Sequence, residues 1–222
     1  MTQSAELMKE GNILRLTGVF LLVALVAAME GCLSLKQPSP KIEYYTLEYE
    51  TLQPETVTKD SPLSAILRIE RFDIAPDYNT DSIIYRDQEF KRTAYTYHRW
   101  RKNPADLVTF FLRRDLRNSG MFRAIIPHTS SIPYTHIVEG GIDEFLEWDT
   151  DDGWNVVVSV TITLLDARET DMNKKVILQS HFSTKKKCDE EHPKFVAKAM
   201  SSAMAEISKE ICITFQMALS KT

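Results

Sequence analysis

Cysteine and glycine are scarce in this 222-residue chain, which has three of the first and seven of the second. Three cysteines cannot build a disulfide framework, so a buried core has to hold the fold, and a chain of this length is long enough to form one. Seven glycines form no phosphate cradle, and no Gly-x-Ser-x-Gly elbow occurs, which argues against ATP hydrolysis and an elbow-type nucleophile. Cys-x-x-Cys and His-Glu-x-x-His spacings are missing as well, so no metal site and no zinc are expected. No period of 20 to 50 residues repeats, which excludes solenoids and propellers. The net charge of −4 gives no global attraction to nucleic acid or anionic lipid.

A transmembrane helix needs roughly 20 apolar residues, and the longest apolar stretch, Leu16 to Met29, has fourteen. Lys9 and Arg15 precede it and Glu30-Gly31-Cys32 follows, the layout of a secretory signal. Met29-Glu-Gly-Cys32 resembles a bacterial lipobox, in which the cysteine is acylated and becomes the mature N-terminus, although Glu30 stands where such boxes carry a small neutral residue. The alternative is an uncleaved anchor. Residues 1–31 are therefore read as a lipoprotein signal peptide, 32–40 as a polar, Pro-bearing tether and 41–222 as a single domain. The mature chain then carries 25 basic and 28 acidic residues, a net charge of −3.

In the mature region, strand patterns are expected at Ile42–Tyr49, Ala65–Phe72, Ser82–Arg86 and Glu89–Tyr97, the last two as a hairpin turning at Asp87-Gln88. Asn103 as N-cap, Pro104 at the first helical position and Asn118-Ser-Gly120 as a stop delimit a helix, with Leu107, Phe111, Leu112 and Leu116 among its apolar positions. A short strand, Met121–Ile126, precedes a longer one from Tyr134 to Trp148, in which Gly140-Gly141 suggests a bulge or bend. Trp154–Leu165, rich in β-branched residues, and Lys175–Ser183 complete a three-strand meander. Pro193 opens a final helix with an apolar stripe of Val196, Met200, Ala203, Met204, Ile207 and Ile211. The fold class is α+β: a mostly antiparallel sheet with two main helices packed on it as an α/β sandwich. Cys212 lies 19 residues beyond Pro193, about 28 Å along a helix, too far from Cys188 for easy bridging, so both thiols are expected free.

Side chains that could carry chemistry are few. His136 and His181 fall within strands as structural residues, and His128 and His192 stand beside prolines. Asp149, Asp151 and Asp152 before Gly153 suit a turn, and Lys185–Lys187, answered by Asp189-Glu-Glu191, reads as a solvated loop. The distinctive stretch is Tyr95-Thr-Tyr-His-Arg-Trp-Arg101, because aromatics and Arg together are the residue types that anchor interfaces. Tyr85, Tyr97, Arg99 and Trp100 are the candidate interface residues. The alternative puts Tyr97 and Trp100 over the core, with His98, Arg99 and Arg101 in solvent.

Tyr44-Tyr-Thr-Leu47, Ile69-Glu-Arg-Phe72 with Pro76 and Tyr78, Ile84-Tyr-Arg86, Tyr97-His-Arg-Trp100 with Pro104, Ser119-Gly-Met-Phe122, the Val160–Asp166 strand and the Phe195–Met204 helix together resemble the ABC-type transport auxiliary lipoproteins, the family of paraquat-inducible protein C. The resemblance implies a non-enzymatic subunit, with no cofactor beyond acyl chains on Cys32. It would work with a mammalian-cell-entry (MCE) domain protein and a permease, docking a lipid conduit at the periplasmic face of the outer membrane. Leu33 after the cysteine, in place of an Asp that favours inner-membrane retention, agrees with that location. A direct lipid carrier, with a cavity lined by Phe110, Phe111, Met200 and Met204, and a periplasmic hydrolase are the alternatives. Homo-oligomer formation is compatible with a docking role.

Intact-mass measurement of the purified protein is expected to show loss of residues 1–31 and a diacyl or triacyl mass on Cys32. An intact Met1 terminus overturns the lipoprotein reading and leaves a single-helix anchor.

Overall fold

The computed structural model describes residues 40–51 and 62–220. The signal segment, Cys32 and all of the tether except Pro40 lie outside the described residues. Residues 41–222 form one compact unit. In chain order its elements are β1 (Glu43–Tyr45), β2 (Leu63–Ile69), β3 (Asp73–Ile74), β4 (Ser82–Arg86), β5 (Thr93–Trp100), α1 (Pro104–Asn118), β6 (Phe122–Pro127), β7 (His136–Thr150), β8 (Gly153–Asp166), α2 (Met172–Lys175), β9 (Val176–Lys187) and α3 (Pro193–Leu219). All nine strands belong to one sheet.

The expected antiparallel character is corrected: the sheet is mixed. Of eight strand pairings among the described residues, β1–β5, β2–β6, β2–β7, β3–β7 and β4–β7 are parallel, while β4–β5, β7–β8 and β8–β9 are antiparallel. The meander of β7, β8 and β9 is as expected. Parallel neighbours arise where a connection returns the chain in the same direction, as the segment between β6 and β7 does, both strands running parallel to β2 on either side of it. Residue periodicity encodes which face of a strand is buried and carries no record of strand direction, so the parallel pairs left no trace in the pattern.

β7 is the hub. One of its edges runs beside β8 from His136 to Thr150. The other edge carries three short strands in succession: β2 at His136–Val138, β3 at Gly141–Ile142 and β4 at Glu147–Trp148. The hairpin between β7 and β8 turns tightly through Asp151-Asp152, with Gly153 at a φ of 104°, which a residue with a Cβ adopts only under strain. The register slips between Ile142 and Glu144, so the expected irregularity sits just after Gly140-Gly141.

α1 bears the expected cap, and both long helices bear the expected stripes. Asn103 accepts from the Ala105 N–H at 2.9 Å with Pro104 behind it, and Leu107, Val108, Phe111, Leu112 and Leu116 are buried. His192, at the N-cap of α3, accepts from Lys194 N–H through Nδ1 at 3.1 Å. Val196, Met200, Ala203, Met204, Ile207, Ile211 and Phe215 of α3 are completely buried. α1 and α3 touch each other, and α3 covers β8 and β9. Cys188 and Cys212 are both buried and free.

Three local readings change. The first strand shrinks to Glu43–Tyr45, because the chain beyond leaves β5 to bury Leu47, 2 % exposed. Lys175, expected at the start of the last strand, instead ends the short helix α2. Lys185–Lys187 stays within β9: Lys186 pairs with Glu206 of α3, and the Lys185 ammonium lies 4.1 Å from the centre of the Trp148 ring, so partners offset the strand's like-charge run.

The two adjacent glycines are not equivalent. A Cβ on Gly140 would lie 2.4 Å from Cε2 of Phe72, a ring that is fully buried, whereas one on Gly141 meets nothing within 4 Å. Gly140→Ala is expected to destabilise by about 1–3 kcal/mol through overpacking, and Gly141→Ala by no more than about 0.5 kcal/mol. Urea midpoints compare them, and equal effects would overturn this account of the Phe72 contact.

Candidate docking surface on the bulged strand

The Tyr95–Arg101 stretch forms most of β5, and its irregular pairing explains its exposed chemistry. Ala94 lies opposite Ile84 and Arg99 opposite Ser82, so the four residues Tyr95–His98 face Ile83 alone. Such extra length bends a strand and re-aims its side chains, a feature common beside functional sites. On its other edge β5 pairs in parallel with β1, His98 opposite Glu43, Arg99 opposite Tyr44 and Trp100 opposite Tyr45.

Trp100 is removed from the candidate interface. It is 1 % exposed, and its ring meets that of Phe145 edge-on with centroids 5.3 Å apart. The Trp100 backbone N–H donates to the Asp81 carbonyl at 2.6 Å, and the Arg101 backbone N–H donates to the Tyr45 carbonyl at 2.6 Å. Trp100 thus fastens the bulge to the core. Tyr97 is 44 % exposed. Arg99 is partly exposed and makes only a long 3.5 Å bond to Asp81, its Nε having no partner among the described residues. Tyr85 is partly buried and packs against Tyr95, centroids 4.8 Å apart.

Beneath this surface lies a polar cluster that no local motif announces. Tyr95 donates to Glu147 Oε1 at 2.9 Å, and its ring meets His98 edge-on at 5.5 Å. His98 Nδ1 lies 3.3 Å from the Tyr45 hydroxyl, which donates to Glu43 at 2.5 Å, and the His192 ring stands 6.3 Å from that of His98. The members come from β1, β5, β7 and the start of α3, so only the folded sheet brings them together. Glu147 is wholly buried, and its Oε2 and Asp149 Oδ1 have no hydrogen-bond partner among the described residues. Burial first, and then the hydrogen bond and charge of Asp149, push the Glu147 carboxyl up to about 9. Burial likewise raises Asp149. One proton held between the two carboxyls satisfies both orphan oxygens. Cys188 is pushed up to about 12, mainly by burial and then by these carboxylates, and so remains an inert thiol.

A mixed sheet thus carries two long helices on a filled core, and the exposed chemistry around the bulge is aromatic and cationic. The match to the ABC-type transport auxiliary lipoprotein component family covers residues 45–212, and the chain belongs to that family. A crystal structure of a Xanthomonas campestris protein of family DUF330 is 14 % identical, with a TM-score of 0.70 over 81 % of this chain and 97 % of its own. An uncharacterised protein of known structure is 13 % identical, with a TM-score of 0.60 over 79 % and 99 % of the two chains. At these identities the likeness establishes the fold alone. No curated protein matches the chain.

The carboxyl pair makes a signed prediction. An unfolded Glu releases its proton near pH 4.3, and folded Glu147 does so near 9. Between those values the unfolded state binds fewer protons, so stability falls as pH rises, by at most about 1.4 kcal/mol per unit. Glu147→Gln, which does not titrate, is expected to flatten the decline of the urea midpoint between pH 5 and 9. Equal slopes for the two proteins would show that Glu147 is ionised in the fold.

Proposed function

We propose that this domain is the docking subunit of an ABC-type transport system that moves lipid between the two membranes of a diderm envelope. Acyl chains on Cys32 hold it at the periplasmic face of the outer membrane. Its partners are an MCE-domain periplasmic protein and the permease of the system, and it performs no catalysis. The observation that carries the docking role is the bulge in β5, which turns Tyr97 and Arg99 outward while Trp100 locks the strand to the core. Exposed Tyr and Arg on a rigid support are the side chains from which binding hot spots are built.

The carrier alternative fits less well. It needs space between sheet and helices, yet Phe111, Met200 and Met204 are buried there as packed core, and Phe110 points away from it at 51 % exposure. Membrane attachment through acyl chains is physically adequate: each buried CH₂ contributes about 0.8 kcal/mol, and two or more chains give stable anchoring.

Tyr97→Ala combined with Arg99→Ala is expected to weaken capture of the MCE protein at least tenfold, about 1.4 kcal/mol, with an unchanged melting temperature. Trp100→Ala should instead cost about 3–5 kcal/mol of stability. Full partner capture by the double variant in a pull-down would remove the bulge from the interface.

A further inference from the structure

A second exposed surface surrounds the point where the tether enters the domain. Ile42, Tyr44 and Phe110 are 44 %, 52 % and 51 % exposed, unusual for large apolar side chains that share one region. Two grooves meet at Thr46: one of about 360 Å³ reaches from Tyr44 to Lys194 and Phe195, the other of about 450 Å³ from Lys102 to Phe110. The Arg101 guanidinium lies 6.0 Å from the centre of the Tyr44 ring, and that of Arg113 lies 5.9 Å from the centre of the Phe110 ring.

The charges of this surface are not balanced locally. Asp106 is engaged by Arg71 at 2.6 Å and Lys198 by Asp189, while Glu43, hydrogen-bonded by the neutral Tyr45 hydroxyl and 3.4 Å from His98 Nδ1, stays an exposed carboxylate. Glu48 is exposed as well. Lys102 and Lys194 have no ion pair among the described residues, and Arg101 none beyond its ring contact. A chain of net charge −4 thus concentrates unpaired cations around exposed aromatics in one place. Aromatic rings with a cationic rim suit the headgroup layer, where the rings enter the boundary and the cations meet lipid phosphates.

Chain length supplies the second argument. Only Leu33–Pro40, eight residues, separate Cys32 from the domain, a span of at most about 28 Å. A domain of this size is about 40 Å across. The tether is shorter than the body it holds, so the surface around Lys41 stays within reach of the bilayer that carries Cys32. We propose that the Ile42, Tyr44 and Phe110 surface, rimmed by Arg101, Lys102 and Lys194, rests on the anionic headgroup layer of that bilayer. This rests on the lipoprotein reading, and it sets the domain's orientation: the tether-entry side lies on the membrane.

The test uses the full chain reconstituted in phosphatidylcholine vesicles, with or without phosphatidylglycerol and with doxyl-labelled lipid as quencher. An environment-sensitive dye is attached at Phe110→Cys or, as a control, at Met172→Cys, which replaces a side chain 75 % exposed. The native Cys188 and Cys212 are buried. Quenching is expected at position 110 and not at 172, stronger with phosphatidylglycerol and at least halved by Lys102→Glu with Lys194→Glu. Absence of quenching at 110, equal quenching at both positions, or shielding of 110 by an added MCE protein but not by lipid overturns the proposal. The intact mass of the same sample separates the two readings. An acylated Cys32 without quenching at 110 sinks only the surface, and quenching at 110 without an acyl mass sinks only the lipobox.

Discussion

The hydrogen-bonded edge of β7 is the constraint from which the rest of this domain follows. A 15-residue strand paired along its length with β8 is a rigid template, since each ladder bond fixes the next. Its opposite edge is long enough to seat β2, β3 and β4 one after another. None of these short strands, of seven, two and five residues, would hold its place without that template. The close approach of Phe72 to Gly140 belongs to the same constraint: the ring occupies the space a Cβ on β7 would fill, so the chain joining β2 to β3 is held tightly to the hub.

The surplus residues in β5 follow from this arrangement. β4 is fixed to β7 at Tyr85 and Arg86 and to β5 at both of its ends, while β5 must also reach Trp100 into the core against Phe145, a residue of β7 itself. The extra length between these fixed points is forced outward at Tyr95–His98. Tyr95 is then drawn back by Glu147, again on β7, and Tyr97 is left in solvent. A buried carboxyl whose removal would orphan the Tyr95 hydroxyl is a costly device for shaping a loop, and the proton shared with Asp149 lowers that cost by keeping a second full charge out of the core.

Much of this was legible in the amino-acid pattern, and what was missed has a physical reason. The cap at Asn103, the helix start at Pro193, the stripe from Val196 to Ile211 and the turn at Gly153 each depend on residues within a few positions of one another, which is the range over which periodicity and capping act. Strand direction and the parallel pairs depend on where long connections return, and no local residue records that. Trp100 was ambiguous for a related reason: a Trp flanked by two Arg suits an interface or a core lid equally, and only the distant Phe145 decides between them. Nothing near Glu147 in the sequence marks it as buried, and its partner Tyr95 lies 52 residues earlier. The carboxyl cluster therefore became visible only with the fold.

The parallel ladder between β1 and β5 joins the two surfaces. Tyr44, on the surface at the tether entry, lies opposite Arg99, on the bulge, and Tyr45 lies opposite Trp100. Whatever orients the first three residues of the described strand therefore orients the docking bulge one strand away, about 4.8 Å across the sheet. The ladder is short, and it holds because its flanks are fixed: Leu47 is buried just beyond it, and Arg101 N–H bonds to the Tyr45 carbonyl. A flexible leash alone would leave a docking patch free to point in any direction. In the proposed docking role, fixing β1 to the strand that bears Tyr97 and Arg99 would give the patch a defined direction relative to the point of attachment.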